Sequence, residues 1–224
     1  MSRGEAALFA LILLGTGAGW GITQPLGKIA VSTGHGHFGL IFWQMAIGAA
    51  ALALLSLARG RGLPVSVPTL RTYVVIALIG TVIPSAASYQ ALAHLPAGVN
   101  AIVLSLVPML AFPIALGLGL ERFAPRRLVG LMAGLGGVAL LVLPQASLPD
   151  PAMLAWIPVA LVAPLFYAFE GNYVARWGIA GLDPIQVLFG ASVIGAAITL
   201  PLAVGSGQFI TPLRPFGPPE WALV

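Results

Sequence analysis

The sequence predicts an all-α integral membrane protein, a polytopic bundle of helices that cross the bilayer repeatedly. Of its 224 residues, 59% are hydrophobic and only 7% are charged, and the mean hydropathy is +1.01. An ordinary soluble domain carries about a quarter of its residues as charged side chains, so these few charges could not cover a water-facing surface. The apolar residues fall into long segments, and most basic residues lie between them.

Seven apolar segments are long enough to cross a membrane. A spanning helix needs about 20 residues for a hydrocarbon core roughly 30 Å thick. The segments cover residues 6–31, 38–58, 72–93, 97–118, 126–143, 153–175 and 185–204. A loop rich in Pro and Gly follows at residues 205–219, and residues 220–224 begin what we expect to be an eighth helix.

The positions of Lys and Arg predict the orientation of the chain, because cytoplasmic loops carry an excess of these residues. With a cytoplasmic N-terminus, only Lys28 and Arg214 lie on the outer side. The inner side then holds Arg3, Arg59, Arg61, Arg71, Arg122, Arg126, Arg127 and Arg176. We expect a multi-pass protein of the cell inner membrane with its N-terminus in the cytoplasm. This bias explains the net charge of +4, so no nucleic-acid partner is expected.

Signatures of enzymes, cofactor sites and metal sites are absent from the sequence. There is no HExxH, GxSxG or Walker A motif. Without cysteine, the chain has no thiolate ligand and no Cys nucleophile. His35 and His37 are two ligands without a third, which makes a poor metal site. We expect neither catalysis nor a bound cofactor or metal.

A shift of 147 residues aligns two pairs of predicted spans. The second span falls on the seventh, with IGAA at 47–50 and again at 194–197, and Trp20 of the first span falls on Tyr167 of the sixth. Five spans separate the copies, so the second copy enters the membrane from the opposite face. Inverted repeats of this kind are typical of secondary transporters, whose binding site lies near the midplane between the halves. Two full copies at this period need roughly 290 residues, so we expect a fragment that lacks three helices.

Three short motifs resemble the drug/metabolite transporter superfamily, in its EamA-type branch. They are Trp20-Gly21 in the first span, YQAL at residues 89–92, and Glu121-Arg122 after the fourth span. The resemblance runs through seven helices. It implies ten helices in a five-plus-five inverted repeat, truncated here after helix seven.

The resemblance also implies a domain organisation and a role. Residues 1–146 would form the first five-helix repeat, and residues 147–224 a partial second repeat with helices six and seven and the start of eight. The commonest role it implies is export of amino acids or related compounds. Gln44 stands where many members have an arginine early in the second helix, so the substrate does not follow from the resemblance.

Polar side chains inside the predicted spans mark a candidate substrate cavity. Such groups are unfavourable in hydrocarbon and face the protein interior or a water-filled cavity. We expect eight residues to line it: Trp20, Gln24, Ser88, Tyr89, Asn100, Ser105, Tyr167 and Glu170. Taken singly, each also fits a role in contacts between helices.

Glu170 has two interpretations. It lies near the cytoplasmic end of the sixth span, about 9 Å inside Arg176 at 1.5 Å per residue. In the first interpretation its carboxylate binds a proton or the amine of a substrate. In the second it is an interfacial carboxylate paired with Arg176 or a neighbouring helix end.

The sequence therefore predicts a secondary active transporter that moves a small organic metabolite by alternating access. Its partners would be that substrate, the lipid bilayer and, as one candidate energy source, protons; the oligomeric state carries no sequence signal. The alternative is a structural or assembly subunit without a transport cycle. That alternative predicts that the polar residues pair off in a packed bundle without a cavity.

Overall fold

The computed structural model describes residues 3–142 and 150–211. Every regular element within these ranges is helical, which confirms the predicted all-α class. A π-helical segment, Leu78–Val82, joins α3 to α4, and a 3-10 segment, Pro151–Trp156, precedes α8. The α-helices are α1 (Arg3–Ser32), α2 (His37–Ala58), α3 (Val67–Ala77), α4 (Ile83–His94), α5 (Ala97–Leu104), α6 (Val107–Gly117), α7 (Pro125–Val142), α8 (Ile157–Trp177) and α9 (Pro184–Gly205).

Six helical stretches of the described residues are long and apolar enough to cross a membrane. They correspond to predicted spans one to four, six and seven. The fifth predicted segment, 126–143, overlaps α7 (Pro125–Val142), which is not among the six, and the expected eighth helix lies outside the described residues. The six stretches are Gly4–Ser32, His37–Ala58, Val67–His94, Ala97–Gly117, Pro151–Trp177 and Pro184–Gly205.

The third span begins at Val67, earlier than the predicted residue 72. The Ser66 side chain accepts the N–H of Thr69, and the Thr69 hydroxyl accepts the N–H of Ser66 at 2.8 Å. This reciprocal cap, with Pro68 in the first turn, starts the helix before the hydropathy rises. Arg71, a polar boundary in the sequence, therefore lies within the helix.

Two spans are interrupted rather than continuous α-helices. The third contains the π-helical segment Leu78–Val82, and the fourth turns at Ser105 and Leu106 before α6. Pro108, which has no N–H to donate, follows this turn. Irregular backbone at membrane depth is tolerated where it is buried in protein or lines a cavity. The π-helical segment Leu78–Val82 is partly or fully buried, whereas Ser105 at the second break is exposed.

Helices α2 and α9 pack closely along their length, with glycine at the contacts. A Cβ added at Gly48 would lie 3.5 Å from Oγ of Ser192, and one added at Gly195 would lie 2.9 Å from Sδ of Met45. Small residues permit such close approach, which drives helix association in lipid. Met45 and Ser192 are 147 positions apart, and so are Gly48 and Gly195. The contact of Gly48 with Ser192 therefore corresponds to the contact of Gly195 with Met45 when the two helices are interchanged.

The ends of α2 and α9 repeat the same spacing. Each helix has 22 residues, and His37–Ala58 precedes Pro184–Gly205 by 147 positions at both ends. A glycine with positive φ follows each helix, at Gly60 (φ 62°) and Gly207 (φ 71°). Glycine adopts this left-handed conformation without a steric penalty and ends a helix there.

Asp183 joins the start of α9 to the residues that follow α2. Its carboxylate accepts the N–H groups of Ile185 and Gln186, and forms ion pairs with Arg59 at 3.2 Å and Arg61 at 2.9 Å. The backbone N–H of Gln186 and, to a smaller extent, the two guanidinium groups hold the pKa of Asp183 at about 2, below its usual 3.8. The two helices are therefore antiparallel and fixed in register at this end.

Gly190 allows α9 to pack closely against Tyr73 of α3, so a larger residue at this position should destabilise the protein. A Cβ on Gly190 would overlap the ring of Tyr73, whereas Gly205 in the same helix has open space around it. We expect Gly190→Ala to lower the free energy of unfolding by about 1–3 kcal/mol through overpacking. Gly205→Ala is the matched control and should not destabilise. Thermal unfolding in detergent measures both, and equal effects would contradict this packing.

The Asp183 contacts generate a second prediction, which depends on pH. Asp183→Asn keeps a side chain that caps a helix but removes the charge that pairs with Arg59 and Arg61. A lowered carboxyl pKa stabilises the fold above the unfolded-state pKa, and this contribution is lost as the pH falls toward the folded-state value. The variant should melt below wild type at pH 7, and the difference should shrink between pH 3.8 and about 2. A difference that stays constant over this interval would contradict the role of the charge.

Candidate functional site

Asn100 connects three spans through side-chain hydrogen bonds. Its Nδ2 donates to Oε1 of Gln24 on α1 at 2.8 Å and to Oγ of Ser88 on α4 at 3.0 Å. Asn100 is only 1% exposed, and its Oδ1 has no partner in the described part of the chain. A buried amide oxygen without a donor is unfavourable, so a donor that reached this atom would stabilise it.

Tyr167 on α8 lies close to Trp20 and Tyr89, the other aromatic residues predicted to line the cavity. Its ring meets Trp20 of α1 edge to face, with the centroids 6.3 Å apart. Its hydroxyl interacts with Ser85 of α4, and Tyr89 is close enough to act on it electrostatically. The ring of Tyr89 lies against Gly27 of α1, where a Cβ would be 3.2 Å from Cε1. The glycine therefore lets α1 approach α4 at this cluster.

The Glu170 carboxylate lies directly against the π-helical segment Leu78–Val82. A Cβ on Gly80 would overlap the carboxylate, so a residue with a side chain would displace it. Within the described residues, Glu170 has neither a hydrogen bond nor an ion pair, and Arg176 does not reach it. It is close enough to Tyr167 for an electrostatic interaction. Of the two interpretations of Glu170, pairing with Arg176 is not observed.

Two further polar residues of the spans lie outside these contacts. Ser105 was predicted to line the cavity, but its hydroxyl donates to the carbonyl of Ile102 in its own helix. No hydrogen bond joins it to the other seven residues in the described ranges. Asn172, absent from the predicted set, donates to the carbonyls of Ala111 on α6 and Ala168 on α8. It fixes α8 against α6.

A cavity of about 560 Å³ lies between α6, α7 and α8. Tyr167 lines it and so connects it to the polar cluster. Glu121 and Arg127, which also line it, form a 2.7 Å ion pair. The other lining residues are Val107, Pro108, Ala111, Phe112, Ala115, Gly130, Leu131, Ala168, Gly171 and Asn172.

A helical membrane bundle with polar groups of several spans beside a cavity has the features of a transport protein. The chain belongs to the EamA-like transporter family, whose model matches residues 7–143, more than half of the chain. This match confirms the resemblance drawn from the sequence motifs and identifies a membrane transporter. No curated protein and no solved structure matches the chain.

The Asn100 contacts predict different effects on stability for Ser88 and Ser105, the two serines predicted to line the cavity. Ser88→Ala removes one acceptor of the Asn100 amide, so we expect the free energy of unfolding to fall by about 1 kcal/mol. Ser105→Ala should have a smaller effect because that hydroxyl bonds only within its own helix. Denaturation of both variants in the same detergent compares them. A larger loss in Ser105→Ala would contradict this assignment.

Proposed function

We propose that the protein is a secondary active transporter that exports a small organic metabolite, an amino acid or related compound, by alternating access. The membrane would be the cell inner membrane, with the N-terminus in the cytoplasm as the arginine distribution predicts. The observation that carries the proposal is the Glu170 carboxylate, which has no bonding partner among the described residues and lies against Gly80 of the third span and close to Tyr167 of α8.

The chemistry of a partly buried carboxylate supports this role. A charged group shielded from water is unfavourable unless it pairs with a cation or takes up a proton. Lys28, on the neighbouring α1, does not serve as this cation, because its Nζ donates to the carbonyl of Leu92 at 2.7 Å. Glu170 is thus suited to bind a proton or the ammonium group of a substrate. The unpartnered Oδ1 of Asn100 and the hydroxyl of Tyr167 would add polar contacts.

Contacts across α1, α2, α8 and α9 support a five-plus-five inverted repeat, with residues 1–146 as one repeat and 147–224 as part of the next. Trp20 and Tyr167 are 147 positions apart and their rings meet. A residue that touches its own repeat equivalent lies at the two-fold axis that relates the copies. Transporters of this design bind substrate near such an axis and alternate by exchanging the conformations of the repeats.

A structural or assembly subunit is the second candidate. The observation that favours it is the Gln24–Asn100–Ser88 network, in which polar side chains bond to one another as in a packed bundle. It does not account for the unpartnered carboxylate of Glu170. It gives no use for Gly80, whose missing side chain makes room for that carboxylate. The transporter proposal accounts for both features.

Transport by reconstituted protein tests the proposal. Proteoliposomes with the full-length protein, in which both proposed repeats are present, are assayed for counterflow of amino acids and related amines, with and without a pH gradient. We expect Glu170→Gln to reduce the initial rate about tenfold or more, since a charge-assisted contact is lost, and to weaken its dependence on the gradient. Ser105→Ala, the control within the spans, should keep the wild-type rate.

Three outcomes would contradict the proposal. Glu170→Gln with the wild-type rate and pH dependence would remove the role of the carboxylate. Loss of transport in Ser105→Ala to the same extent would show an unspecific defect. Absence of counterflow for every compound with well-folded wild-type protein would favour the structural subunit.

A further inference from the structure

One end of the bundle concentrates the arginines. α2 and α8 end there and α3 and α9 begin there, so the arginines of these helix ends lie close to one membrane surface. Asp183 pairs with Arg59 and Arg61, and Glu121 pairs with Arg127. Among the arginines whose side chains the structure describes, four remain without an acidic partner: Arg71, Arg122, Arg126 and Arg176.

Arg71 differs in that it lines a pocket of about 380 Å³ between the start of α3 and the end of α8. Val67, Pro68 and Thr72 form the α3 side of this pocket. The other side consists of Tyr173, Trp177, Gly178 and Ala180. The hydroxyl of Thr72 already donates to the carbonyl of Pro68 at 3.0 Å. Arg71 is the charged residue among those that line the pocket.

The aromatic side of the pocket has the character of a membrane interface. The rings of Tyr173 and Trp177 lie 5.2 Å apart, and Trp177 is 59% exposed. Trp and Tyr are enriched at the level of lipid headgroups. This enrichment favours a position of the pocket at headgroup level, where phosphate groups are found.

An exposed apolar stripe continues from Arg71 along α3. Val67, Leu70 and Val74 are all exposed and follow one another at helical spacings of three and four residues, which place them on one face. This stripe adjoins the pocket at Val67. A ligand with a phosphate in the pocket and an acyl chain on the stripe would satisfy both surfaces, which a free phosphate would not.

We propose that this pocket binds the phosphate of an anionic phospholipid, such as phosphatidylglycerol, with Arg71 as its principal contact. The planar guanidinium presents two N–H groups to phosphate oxygens at once. Basic pockets between membrane helices bind anionic headgroups in this way. The surrounding arginines raise the local concentration of anionic lipid and leave the specific contact to Arg71.

Native mass spectrometry of the full chain in detergent tests the site. The probes are dioctanoyl-phosphatidylglycerol, dioctanoyl-phosphatidylcholine and glycerol 3-phosphate, each titrated separately, with the melting temperature as a second measurement. We expect wild type to bind phosphatidylglycerol in preference to the other two and to melt higher with it. Arg71→Gln should weaken this binding about tenfold, whereas Arg176→Gln, the matched control, should not.

Arg71→Lys keeps the positive charge but removes the guanidinium. Its affinity for phosphatidylglycerol should lie between those of Arg71→Gln and wild type, because an ammonium group cannot form two parallel hydrogen bonds to a phosphate. Equal weakening by Arg176→Gln would indicate general attraction to the basic end and overturn the proposal. Equal binding of phosphatidylcholine, or of glycerol 3-phosphate, would overturn it as well. If Arg71→Gln melts below wild type without lipid, the test uses the affinity of Arg71→Lys for phosphatidylglycerol instead. An affinity between those of wild type and Arg71→Gln supports the proposal, and an affinity equal to that of wild type contradicts the role of the guanidinium.

Discussion

The close antiparallel packing of α2 on α9 is the constraint on which the rest of the structure depends. In lipid there is no hydrophobic gain from bringing two apolar helices together, so association relies on contact area and close approach. Gly48 and Gly195 permit that approach, and Asp183 fixes the register through its arginines. Fixed in this way, the pair joins the two halves of the described chain, together with the packing of α8 on α4 and α6.

Several polar side chains of the spans lie close to the breaks in the helices. The π-helical segment Leu78–Val82 lies opposite Glu170, and glycine at position 80 leaves room for the carboxylate. Such segments are common at functional sites because they disturb the regular hydrogen bonding of the backbone. On the other side, Asn100 connects α5 to α1 and α4. The polar groups thus come from four separate spans, and relative movement of those spans would rearrange them.

Much of this arrangement could be predicted from the sequence, because apolar length and polar positions are local properties. The helical spans and the 147-residue spacing follow from such patterns, and so does the selection of Gln24, Ser88 and Asn100 as polar residues of the spans. The bonds of Asn100 to Gln24 and Ser88 depend on how three spans pack. The role of Gly80 could not be predicted, since it depends on a residue of a distant helix. Ser105, predicted as a cavity residue, donates to the carbonyl of Ile102 in its own helix, and a bond of this kind depends on local geometry that the sequence pattern does not contain. The cap at Ser66 starts the third span earlier than residue 72 because capping depends on side-chain hydrogen bonds and not on hydropathy.

Access of water to the polar cluster tests the central claim, a solvated cavity beside Tyr167, most directly. The chain contains no cysteine, so Tyr167→Cys introduces a single thiol. A membrane-impermeant maleimide is applied from either side of oriented membranes, with Thr199→Cys, at a fully buried position of α9, as the control. We predict labelling at position 167 from both sides, reduced by a transported substrate, and none at position 199. An unreactive thiol at position 167 from both sides would indicate a packed bundle and contradict the transporter account.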